Sequence, residues 1–150
     1  MSYFSEPSRG QHFPARALAW LIPSVLIASQ EVVIVSPWLE DVSLEMPPSL
    51  GRTLGDLLAH LEKEGARLSL WLRERRAQEE EVLRRLMKAK VWHVEHLHAK
   101  GIFTESLALW GSFNLLETSV HRNVETVRLE WHDNGSAEAA AKAYIKDLRV

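Results

Sequence analysis

The chain has 150 residues, 46% of them hydrophobic and 25% charged, with no cysteine and a formal net charge of −2. This composition is ordinary for a globular protein and excludes disorder or a fibrous repeat as a description of the whole chain. The lack of cysteine excludes disulfides, thiolate metal sites and a cysteine nucleophile. Protonating all seven histidines moves the charge only from −2 to +5, so an anionic partner must be met by a local patch rather than by the field of the whole molecule.

The length fits a single domain over residues 1–150, with 1–13 expected as a flexible N-terminal arm. Ala17 to Ala28 holds the one strongly apolar segment. It is too short for a membrane span, which needs about 20 apolar residues. Arg9 and Arg16 ahead of it give it some character of a secretory signal. However, Leu18, Leu21, Ile22, Val25 and Leu26 recur at helical spacing, so a core helix bent at Pro23 is the better reading. The chain is accordingly expected to be cytoplasmic, with export left open.

Val32 to Val35 is a continuous apolar run, as in a strand buried on both faces. Glu40 to Gly51 carries Pro47-Pro48 and reads as a long loop. Leu54, Leu57, Leu58 and Leu61 line one face of a helix that stops at Gly65, and Leu68 to Leu72 predicts a second buried strand. Gln78 to Lys90 reads as a charged surface helix. Arg73, Arg75, Arg76, Arg84 and Arg85, before and along it, form the densest basic cluster, diluted by Glu79, Glu80 and Glu81. Val91 to Phe103 reads as a strand, joined by a turn near Thr104–Ser106 to Leu107–Trp110. Asn123 to Trp131 is a further strand, and Ser136 caps a last helix with Ala141, Tyr144, Ile145 and Leu148 on one side. Strands alternating with helices predict an α/β fold, with a mixed, largely parallel central sheet and helices on both faces.

Polar chemistry concentrates between His98 and Asn114. Residues two apart on a strand share a face, which sets His98 beside Lys100, with His96 near them. Ser112 and Asn114 follow a strand end. An imidazole, an ammonium, a hydroxyl and an amide together suit a phosphate, and a histidine can serve as nucleophile or general acid near neutral pH. His93, His96 and His98 offer zinc as an alternative, but strand alternation puts His93 on the opposite face, so no metal or other cofactor is expected. Trp20, Trp71 and Trp110 read as core. Trp38, at the end of the first strand, lies where α/β proteins bind ligands, though packing is the plainer reading.

The run His98-Ala99-Lys100 with Gly111-Ser112-Phe113-Asn114 resembles the phospholipase D superfamily, whose signature is HxKxxxxD, six residues, then GSxN. Here the segments are HAKGIFTE, SLALW and GSFN. IVSPWL before them and Asn123-Val124-Glu125 after them also resemble the family, and the likeness runs from about Pro14 to Trp131. Two departures stand out: Glu105 replaces the aspartate, and the spacer has five residues. A residue lost from the turn preserves both strand faces, whereas one lost inside a strand flips every later side chain.

The resemblance implies a metal-independent phosphodiesterase in which two HxK motifs meet across a two-fold axis. One histidine becomes a phosphohistidine and the other handles the leaving-group proton. A chain with one motif would act as a homodimer, with His98, Lys100, Asn114 and Glu105 as catalytic residues. Lys100, Ser112 and Asn114 would hold the phosphate, and Glu125 would stand behind them. Nucleic acid is the expected substrate. Phospholipid is a lesser alternative that wants an exposed apolar mouth, for which Leu44 to Leu50 is the candidate. A further alternative is a catalytically impaired module of the same fold that binds nucleic acid or a protein partner.

Overall fold

The computed structural model describes residues 10–74, 76–115, 117–120 and 126–145. Within them the chain forms β1 (Gln11–Pro14), α1 (Leu18–Leu26), β2 (Glu31–Val35), α2 (Leu54–Lys63), β3 (Arg67–Leu72) and α3 (Ala77–Leu83). There follow β4 (Lys90–His93), β5 (Gly101–Thr104), β6 (Leu107–Gly111), the short α4 (Glu117–Val120), β7 (Thr126–Trp131) and α5 (Ala137–Tyr144). All seven strands join one sheet in the order β1-β7-β6-β5-β2-β3-β4.

The sheet is mixed, with helices on both faces. Parallel pairing is confined to β2–β3–β4, and the half built from β5, β6, β7 and β1 is antiparallel. The difference from the largely parallel expectation comes from the β5–β6 hairpin. It lies beside β2 and needs only a tight turn, where a parallel pair needs a crossover. Strand alternation divides the core. Val32, Ile34, Leu70 and Leu109 meet α1 and α2 on one face, and Val33, Val35, Trp71 and Phe103 meet α5 on the other. This double burial is why Val32 to Val35 carries no polar residue.

The apolar segment near the N-terminus is a core helix, with Leu18, Leu21, Ile22, Val25 and Leu26 all buried. Pro23 lacks the N–H that would bond the carbonyl of Ala19, and that carbonyl instead accepts from the N–H of Glu45 at 2.8 Å. The proline thus tethers the long loop. Arg85 holds the loop again, bridging Asp41 and Asp56 at 3.0 Å each. Asp56 closes a capping box with Thr53 at the start of α2, and the backbone N–H of Arg52 bonded to its carboxylate is the leading cause that holds Asp56 below the ordinary carboxylate pKa. As a result Leu44 and Leu50 are buried in the core and Met46 packs against it. Of the apolar residues expected to form a mouth for a lipid substrate, only Pro47 and Pro48 are exposed.

Three other expectations are corrected. Residues 11–14 are a paired edge strand against β7 rather than part of an arm. The charged helix ends at Leu83, with Glu79, Val82 and Leu83 buried, and the chain continues irregularly to Ala89. Val91 to Phe103 is not one strand: β4 runs along the sheet edge, and an irregular segment over 94–100 carries the chain to β5 in the middle of the sheet. Among the described residues, no helix is long and apolar enough to cross a membrane.

Candidate functional site

The topology collects one end of the sheet. β2 and β3 end there at Val35 and Leu72, and β6 ends there at Gly111. β5, antiparallel to β2, begins there at Gly101, which pairs with both Val35 and Trp110. His98 and Lys100 sit just before β5, in the connection rather than on a strand. The backbone turns at His96, which has a left-handed φ of 64°. His96 is exposed, with Glu95 at 3.4 Å, and lines the same cavity as His98 and Lys100.

His98 is held by Arg73, at the end of β3. The guanidinium donates to the carbonyl of Leu97 through Nε at 2.9 Å and also through Nη2, which lies 3.0 Å from Nδ1 of His98. Arginine has only donors, so Nδ1 accepts and the ring proton resides on Nε2. Lys100 Nζ donates to the carbonyl of His98 at 2.9 Å. Trp38 lies against the same arginine, with Arg73 4.9 Å and Arg76 4.3 Å from its ring centroid, distances at which the ring face attracts a cation. Arg76 is anchored by the fully buried Glu79 at 2.9 Å, and that hydrogen bond raises its pKa. Arg73 was legible in the sequence only as one member of a basic cluster, and no spacing rule marks it as the neighbour of His98.

A cavity of about 350 Å³ opens beside His98 and Lys100, walled by Leu97, Trp110, Tyr144 and Ile145. The Tyr144 ring packs against Trp110 and Phe103. Burial, followed by its hydrogen bond to Glu130, pushes the Tyr144 phenol up to about 12.

The GSFN segment leaves β6 at this same end. Gly111 is required by close packing: a Cβ there would lie 2.5 Å from the carbonyl oxygen of Thr126 on β7. Ser112 is exposed. Phe113 and Leu115 enter the core on the α1 face, and Leu115 bridges to Leu39, next to Trp38. Asn114, between them, has a buried Oδ1 with no partner among the described residues. Ser112 and Asn114 do not line the cavity beside His98.

Glu105 is elsewhere. It occupies the two-residue turn of the β5–β6 hairpin, at the far end of β5 from Lys100. Its carboxylate accepts the backbone N–H groups of Gln30 (3.0 and 3.2 Å) and Glu31 (3.0 Å) at the start of β2. Across the hairpin Gly101↔Trp110, Ile102↔Leu109 and Phe103↔Ala108 pair in unbroken register, so these paired segments keep a regular alternation of faces. The expectations for Glu125 and Asn123 lie outside the described residues.

Neither a protein-family model nor a curated protein sequence matches the chain. Solved structures do. NucT from Helicobacter pylori superposes with a TM-score of 0.61 at 13% identity, covering 92% of this chain and 93% of that one. Nuc from Salmonella typhimurium, a phospholipase D family member, gives 0.61 at 16%, covering 94% and 91%. TrmBL2, an archaeal chromatin protein with a novel mode of DNA binding, gives 0.56 at 12%, covering 96% of this chain and 52% of its own. The fold is therefore the phospholipase D-like α/β fold.

Proposed function

We propose that this protein is a metal-independent phosphodiesterase of the phospholipase D type, acting on nucleic acid as a homodimer. The observation that carries this reading is the gathering of His98, Lys100 and the Gly111–Asn114 segment at one end of a sheet with the fold of Nuc. In this mechanism Nε2 of His98 attacks phosphorus. The bond to the leaving oxygen breaks, and that oxygen takes a proton from the imidazolium of His98 of the partner subunit. The partner's imidazole then removes a proton from water, whose oxygen attacks phosphorus and breaks the P–N bond. Lys100 neutralises a phosphate oxygen as a point charge, and the amide of Asn114 supplies a directed donor. The pair needs opposite protonation states, the usual logic of acid–base work near neutral pH.

One observation favours a second reading. A nucleophilic Nε2 must be unprotonated, whereas the Arg73 contact keeps the proton there. Attack requires Arg73 to release Nδ1 first. If it does not, the site binds a phosphodiester without cleaving it, in a DNA-binding module of the kind TrmBL2 represents. Hydrolysis of bis(p-nitrophenyl) phosphate in excess EDTA, by parent and His98→Ala proteins whose dimeric state is verified by sedimentation, separates the two. Activity that survives EDTA and vanishes in His98→Ala supports the enzyme; an inactive parent dimer supports the module.

A further inference from the structure

A second cavity of about 350 Å³ lies on the α5 face of the sheet, lined among others by Ser69, Trp71, Lys88, Lys90 and Trp92. It exists because α5 packs on β2, β5 and β6, and among the described residues no helix covers β3 and β4 on that face. Lys90 and Trp92 alternate onto this face beside Ser69 and Trp71, their register partners.

Three features separate this strip from an ordinary solvated edge. Trp92 is 47% exposed, a large flat apolar surface that a monomer usually hides. The indole N–H of Trp71, a residue only 1% exposed, has no acceptor among the described residues, and a buried donor left unmet costs free energy until something supplies one. The acids of the wall are engaged. Glu31 accepts the N–H of Ala137, Glu62 those of Met87 and Lys88, and Glu138 pairs with Lys142. Lys88 and Lys90 are exposed, and their ammonium groups stand in no ion pair among the described residues.

The strip is also continuous with the candidate active site. From Trp92 the chain passes through His93 to Val94, which lines the cavity of His98 and Lys100. Lys90 to Val94 spans roughly 13 Å of extended chain.

We propose that this strip is a binding track for single-stranded nucleic acid, with one base stacked on Trp92 and phosphates paired to Lys88 and Lys90, leading the strand to His98. An exposed indole recognises a base face, which a duplex hides and a single strand offers. Lysines beside it neutralise the backbone without reading sequence. The inference rests on the nucleic-acid reading above and adds where the flanking strand runs.

The test is fluorescence anisotropy of a labelled dT12 oligonucleotide binding to the His98→Ala protein, which removes turnover. It is compared with the same protein carrying Trp92→Ala, Trp92→Phe or Lys88→Gln with Lys90→Gln, each checked for unchanged circular dichroism and melting. Trp92→Ala is expected to weaken binding about five- to hundredfold, with Trp92→Phe recovering most of it. The double lysine variant is expected to lower the salt slope by about 1.4, the value for two single-strand phosphates. Binding by the parent that none of these variants alters overturns the track and leaves the nucleic-acid reading standing. A parent that does not bind dT12 overturns the track, and one that also fails to bind a 12-base-pair duplex overturns the nucleic-acid reading with it. Either lysine or tryptophan effect without the other also overturns the track as drawn.

Discussion

Arg73 donates to Nδ1 of His98 at 3.0 Å with the same guanidinium that holds the carbonyl of Leu97. One side chain from the end of β3 thus sets both the path of the chain before β5 and the tautomer of the imidazole. The 15N spectrum of the parent is expected to place the proton of His98 on Nε2. In Arg73→Ala both tautomers should be populated. Arg73→Ala also frees the tautomer whose Nε2 can attack, so ester hydrolysis per folded dimer should equal or exceed that of the parent; a fall would show that Arg73 serves the reaction by anchoring Leu97. A His98 protonated on Nδ1 in the parent would contradict the arrangement.

Glu105 is expected to matter for stability. Its carboxylate gathers the N–H groups of Gln30 and Glu31, charge-assisted bonds that pin the hairpin turn to the start of β2. Glu105→Ala should lower the unfolding free energy by about 1–2 kcal/mol, read as a lower urea midpoint at unchanged slope. Glu105→Asp, one methylene shorter, should recover only part of this.

Gly111→Ala tests whether the first residue of GSFN is selected by packing. The added Cβ meets backbone on β7 rather than a movable side chain, so the strands must separate. A loss of about 1–3 kcal/mol is expected, measured by thermal melting.

Much of this was legible from period alone. The buried strands β2 and β3 and the capped helices α2 and α5 follow from apolar runs and capping residues, because local pattern and tertiary burial agree there. The site was legible as a spacing of residue types, His98 to Asn114, but not as geometry. No local rule shows that β4 leaves the sheet edge before His98, that the hairpin turn carries Glu105 away from Lys100, or that Arg73 arrives from a strand end 25 residues earlier. These are consequences of strand order, which residue patterns constrain weakly.

Tyr144 gives the chain a pH dependence of known sign. Burial favours its neutral form and raises its pKa from the model-compound value of 10.0 to about 12. The folded state therefore holds this proton more tightly than the unfolded state does. The stabilisation is complete below pH 10 and is lost between about pH 10 and 12. Parent and Tyr144→Phe should differ in the pH dependence of their urea midpoints only in that window, and the variant should lack the late step in the phenolate absorbance titration.

Arg76 and Glu79 give the largest expected effect. Glu79 is fully buried, and Arg76 holds it at 2.9 Å while covering the Trp38 ring. Removing the arginine leaves a carboxylate with no counter-charge among the described residues, at a cost of about 3–5 kcal/mol. Arg76→Ala should therefore be strongly destabilised. Arg76→Met with Glu79→Leu removes both charges and should regain most of the loss, since an apolar pair of similar volume avoids the desolvation penalty. Denaturant titration of Arg76→Met, Glu79→Leu and the double variant yields the coupling directly. A double variant as unstable as Arg76→Ala would place the stabilisation in the Arg76–Trp38 contact instead of the ion pair.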